Sequence, residues 1–162
     1  MAELRPLDEK LAEVLGLAQA AKDSTKKVEG LLEDGERKEL LQRMREEAVE
    51  TARRCEAALG AFEGRKTAIL EKARETRQEA TEMMRTYLAG DAEPLDGFEF
   101  LIMAEAGELG HWEVLRTLNE RAREEAVQQL VEFAIPVQER HFSDVRETAL
   151  ALAGEEDPLE EG

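Results

Sequence analysis

Cysteine occurs once, at position 55, so no disulfide forms within the chain and nothing in its cysteine usage points to an oxidising compartment. Bases are outnumbered: 22 Lys and Arg stand against 38 Asp and Glu, a net charge of −16. A field of that sign repels nucleic-acid phosphates and anionic lipid headgroups, which excludes non-specific nucleic-acid and membrane-surface binding. No apolar run reaches the length of a bilayer span, and no charged-then-apolar signal segment opens the chain, so the expected location is the cytoplasm. A glycine-rich phosphate loop, a paired-cysteine metal motif and a nucleophile elbow are all missing, so no nucleotide or organic cofactor is expected. Aromatic residues are only 4% of the chain and prolines number 4, so strand formers and chain breakers are both scarce. Ala, Leu, Glu, Arg and Lys take their place, which is a helical composition.

The 162 residues suit one compact domain, and a hydrophobic fraction of 42% supplies a core. The few breakers cut the chain into five helix-length pieces. Pro6 fits a first helical turn, and the first piece runs over 7–33 to the Asp34-Gly35 turn signal. The second spans about 36–62, the third about 65–88, the fourth from Pro94 to about Arg121, and the fifth about 124–153. Residues 154–162 carry five acids and no base, the pattern of a solvated acidic tail, which leaves 1–153 as the expected domain. Such lengths with short connections predict an all-α, up-and-down bundle of four core helices plus one that crosses over or caps.

Positions alternating by three and four residues return to one face of a helix. In the first piece that face reads Leu7, Leu11, Val14, Ala18, Ala21, Thr25, Val28 and Leu32. The second gives Leu41, Met44, Ala48, Thr51, Cys55, Ala58 and Phe62, with Glu47 and Arg54 flanking it. The third gives Ile69, Ala73, Thr76, Ala80, Met83 and Tyr87 on a segment crowded with charges, the pattern of a peripheral helix. The fourth departs from the rule: Phe98, Leu101, Glu105, Glu108, Trp112 and Leu115 place two carboxylates in the core stripe. The fifth repeats the departure, with Gln138 and His141 between Val131, Ala134, Val145 and Leu152. Cys55 and Trp112 read as packing residues, and Pro136 predicts a kink or bulge just before Gln138.

Buried unpaired charge costs several kcal/mol, so this polar layer needs protons, hydrogen bonds, a counter-charge or a metal. A Glu and a His at i and i+3 point inward together, as in di-iron bundles. Glu108 with His111 is a full match to that spacing, and Gln138 with His141 is a near match. Glu105, Glu108, His111 and His141 are thus the candidate ligands for one iron, manganese or zinc ion, with Gln138 and Glu50 as further candidates. The competing reading makes the layer a metal-free network, with Arg54 as the counter-charge to Glu105 and Glu108 and with Gln138 and His141 completing it.

The stretches EEAVETARRCEAALGAF (46–62), GFEFLIMAEAGELGHWEVLRTL (97–118) and LVEFAIPVQERHFSDV (130–145) resemble the ferritin-like stress proteins of the YciE/YciF type. The Glu50-Thr51, Glu105-x-x-Glu108 and Gln138-Glu139 pairs carry the resemblance, which covers roughly 36–150. It implies a ferritin-like bundle, often a homodimer, with an iron or manganese site and a role in oxidative or general stress. The chain departs from that pattern in three places. Asp23, Ser24 and Thr25 stand where an inward Glu is expected, Glu47 and Arg54 stand where histidines are usual, and Gln138 replaces a carboxylate. Each change removes a ligand or adds positive charge, leaving either a reduced, mononuclear site or a metal-free descendant. The alternative to a metal protein is a non-catalytic bundle that meets a protein partner through its acidic surface.

Overall fold

A computed structural model describes residues 2–162 and contains five α-helices with no strand among them. They are α1 (Pro6–Glu29), α2 (Gly35–Ala58), α3 (Lys66–Tyr87), α4 (Pro94–Ala122) and α5 (Glu125–Glu155), with a short 3-10 turn, Leu59–Ala61, after α2. Among the described residues, no helix is long and apolar enough to cross a membrane. The helix starts have local causes. Pro6 and Pro94 occupy first turns, where the missing N–H costs nothing. Asp8 accepts from the Arg5 backbone N–H at 2.9 Å, Asp96 from that of Glu93 at 2.8 Å, and Asp34 from that of Glu36 at 3.0 Å. Between α4 and α5, Arg123 takes the left-handed conformation at φ 55°. The Asn119 side chain holds that turn by donating to the Glu124 carbonyl at 3.0 Å and accepting from its N–H at 3.1 Å. α5 runs through Pro136 as one continuous helix.

α1, α2, α5 and α4 form a ring of four helices, each packed against the next, and α3 packs outside the ring on α1. Cross-helix pairs give the directions. Lys10 meets His111 and the Cα of Gly97 faces Val28, so α1 and α4 are antiparallel. Arg37 meets Glu155, Arg43 meets Asp144 and Arg54 lies over Phe133, so α2 and α5 are antiparallel too. Asp8 meets Arg65 and Asp23 meets Arg77, so α3 runs parallel to α1. The chain is therefore two helical hairpins, α1–α2 and α4–α5. α3 returns the chain along the outside so that α4 can start at the same end as α2.

The stripes of α1, α2, α4 and α5 are buried as the sequence periodicity predicts, except that Ala58 at the end of α2 is half-buried. α3 is corrected in its second half: Met83 and Tyr87 are 64% and 43% exposed, and Met84 and Leu88 are buried instead. The cause is that α3 rests on α1 and then passes over the start of α4, where Met84 and Leu88 join Phe98 and Phe100. The contact between α1 and α3 is close because Gly16 has no side chain. A Cβ there would collide with the Ala73 carbonyl and come within 2.8 Å of the Thr76 Cβ.

The apolar core falls into two blocks. One gathers Leu11, Leu15, Cys55, Trp112, Leu115 and Val131; the other gathers Val28, Leu41, Met44, Phe98, Leu101 and Val145. Between them lie Glu105 and Glu108 of α4 and Gln138 and His141 of α5, all buried. At that level α1 and α2 supply Ala18, Ala21, Ala48 and Thr51. Small residues on two helices leave room for long polar side chains from the other two.

Candidate functional site

The polar layer is built by heptad position. α4 points Glu105 inward from the same stripe as Leu101 and Trp112, and α5 points Gln138 and His141 inward from the stripe of Ala134 and Val145. The Gln138 amide donates to Glu105 Oε2, and also to the Glu105 carbonyl at 3.3 Å. His141 Nδ1 lies 3.9 Å from the same Glu105 oxygen. The other ring nitrogen, Nε2, meets Glu47 Oε1 of α2 at 3.2 Å, and Glu47 in turn pairs with Arg140. The array thus crosses from α4 through α5 to α2 and ends at the surface on an arginine.

Burial sets the protonation of this array. It pushes the Glu105 carboxyl up to about 7, with the Gln138 donor pulling the other way. Glu108 is raised well above the ordinary carboxyl value, first by burial and then by Glu105. The indole N–H of Trp112, one turn on, favours the Glu108 anion. That N–H makes no hydrogen bond of good geometry and is otherwise without a partner. Burial lowers His141, with Glu47 opposing. The Cys55 thiol is pushed up by burial, so it packs as a neutral group and is no nucleophile.

Of the sequence-derived candidates, the structure brings Glu105, Gln138 and His141 into direct contact. Glu108 lies one turn along α4, buried and facing a cavity. His111 is not in the layer. Its side chain is 41% exposed, and Nδ1 lies 3.1 Å from both Lys10 Nζ and Glu13 Oε2 at the α1–α4 surface. Glu50 is also apart: Arg53 and Arg54 clamp it at 2.6 and 2.9 Å, and they hold its carboxyl down at about 2.

Arg54 does not reach Glu105 or Glu108, contrary to the network expected from the sequence. It pairs with Glu50 and lies over the Phe133 ring, 3.7 Å from its centre. The residue that does extend the network is Glu47, whose place beside the α2 stripe was the available signal. Arg54→Ala is accordingly expected to shift stability by no more than about 1 kcal/mol in urea denaturation, the worth of an exposed pair and a surface cation–π contact. A loss of about 3 kcal/mol or more would show instead that it compensates a buried charge.

Comparison with protein-family models, with curated proteins and with solved structures returns no match. Among the described residues, no three His, Cys, Asp or Glu side chains are gathered so as to hold a metal ion. The small residues that α1 and α2 place at this level explain why: two of the four ring helices add no inward ligand there.

Proposed function

We propose that the chain is a non-catalytic helical-bundle protein whose polar layer is a metal-free hydrogen-bond and ion-pair network, and that it acts as a structural or interaction module. The observation that carries this reading is the Gln138 amide on Glu105 Oε2, the carboxylate oxygen nearest to His141. That oxygen is engaged by a protein donor and is not left open toward a cation. Buried polar arrays of this kind specify helix register, because a one-turn slip strands every member. The acid content supports a basic protein as partner. Residues 94–162 hold 17 acids and 5 bases, so most of the net charge lies on the α4–α5 hairpin and the tail.

The second reading is an iron- or manganese-binding, ferritin-like protein, homodimeric and cytoplasmic, with a stress role. What favours it is the arrangement of two hairpins joined by a crossover, the topology of ferritin-like folds, with Glu105, Glu108 and His141 in the bundle core. Elemental analysis of untagged protein after incubation with Fe(II) and Mn(II) separates the two. The network reading expects no stoichiometric metal and no change in melting temperature on adding chelator. One equivalent of metal, lost in His141→Ala, with chelator lowering the melting temperature, would establish the second reading instead.

A further inference from the structure

A cavity of about 270 Å³ lies between α1, α3 and α4, outside the four-helix ring. Its walls are apolar and soft: Met83, Met84, Met103 and Phe100 line one side, and alanines of α1 and α3 line the other. Methionine side chains repack readily round bound molecules, which suits a site to more than one ligand shape. Glu105 and Glu108 reach the cavity from α4, and no Lys or Arg lines it. Glu105 is already engaged by Gln138. Glu108 is 4% exposed and forms no ion pair among the described residues, and the donor beside it, the Trp112 indole N–H, makes no hydrogen bond of good geometry.

We propose that this cavity binds a small lipophilic amine, with its ammonium group on Glu108 and its hydrocarbon body against the methionine wall. A buried carboxyl without a well-placed donor gains from a ligand N–H that can approach it through the cavity. An ammonium adds charge to the bond and roughly doubles its strength over a neutral donor. Scaling from a 150 Å³ apolar cavity that holds benzene, the space accepts a ligand of about eleven non-hydrogen atoms. The chain's negative field raises the local concentration of cations at the mouth and disfavours acids of the same size. This inference rests on the metal-free reading, since a metal held by Glu108 would occupy the carboxylate the amine needs; elemental analysis of the titrated protein distinguishes the two failures.

Calorimetric titration with octylammonium, 1-octanol and octanoate tests it, because the three probes share a chain and differ only in the head. Octylammonium is expected to bind one per chain, about tenfold tighter than the alcohol, with octanoate weaker still. Glu108→Gln, close in shape and without a charge, is expected to weaken octylammonium about tenfold and to leave octanol unchanged. Ala80→Leu, which fills the cavity from α3, is expected to abolish binding of all three. Equal binding of amine and acid by the parent chain would overturn the proposal. So would undiminished amine binding by a folded Glu108→Gln or Ala80→Leu chain. The comparison of the three probes on the parent chain stands even if a variant does not fold.

Discussion

Glu105→Gln is expected to leave the bundle roughly 3 kcal/mol more stable than the parent chain at about pH 9, and no more stable at about pH 4. Below the ordinary carboxyl value of 4.5, Glu105 is neutral in folded and unfolded chains alike, and the layer pays nothing for it. Between 4.5 and about 7 the unfolded chain releases the proton and the folded chain keeps it. The parent therefore loses stability as pH rises through that window, at about 1.4 kcal/mol for each pKa unit separating the two states, and the loss is complete above it. A glutamine keeps the acceptor that Gln138 uses and has no proton to lose. Glu108 keeps a slope of the same sign in the variant, and His141 gives the opposite one: its lowered value removes stability as pH falls below 6.5. Urea midpoints measured across pH on both chains check this. A difference that is constant with pH would mean that packing at position 105, and not ionisation, governs the layer.

Gly16→Val is expected to cost about 3 kcal/mol, the upper end for forcing extra carbon into a packed contact. The new side chain meets the Ala73 carbonyl, a backbone atom that cannot swing aside, so α3 as a whole must move away from α1. The matching control is Gly110→Ala. A Cβ there has no neighbour within 4 Å, and replacing an exposed helical glycine gains up to about 1 kcal/mol. Thermal unfolding reads both signs. Limited proteolysis reads the place of the damage, since cleavage at the connections 59–65 and 88–93 should rise in Gly16→Val if α3 lifts. If Gly16→Val unfolds at the parent's temperature, α3 is not held by this contact.

The helices that form the ring were legible because each faces one core, so a single stripe at helical period records its burial. Leu7 to Val28 on α1 and Phe98 to Leu115 on α4 follow it residue by residue. α3 was legible only where it follows α1. Past Ala80 it crosses onto a second helix, its buried face turns, and Met84 replaces Met83. In the polar layer, the inward members came from their stripe positions. The flanking ones did not, because a residue one place off the stripe faces either the neighbouring helix or solvent. Glu47 and Glu50 sit on the same helix three residues apart. The first finds Arg140 and His141 on α5, the second finds Arg53 and Arg54 on its own helix, and only the packing of α2 against α5 decides which. Asp8 shows the same limit. It is a fully buried carboxylate, and one of its two arginines, Arg65, lies on the far side of a hairpin.

Placing α3 outside the ring also orders events in time. α1 is made first, yet the partner that closes its stripe, α4, begins only at Pro94. Translation at ordinary speed leaves that stripe half covered for on the order of ten seconds. During that interval the nascent chain has little electrostatic protection, since residues 1–93 hold 21 acids against 17 bases. The strongly acidic hairpin that both seals the core and keeps copies apart by like-charge repulsion arrives last. A chain that stops before α4 thus exposes Leu11, Val14 and Val28 with a net charge of −4 in place of −16, and is the more prone to aggregate.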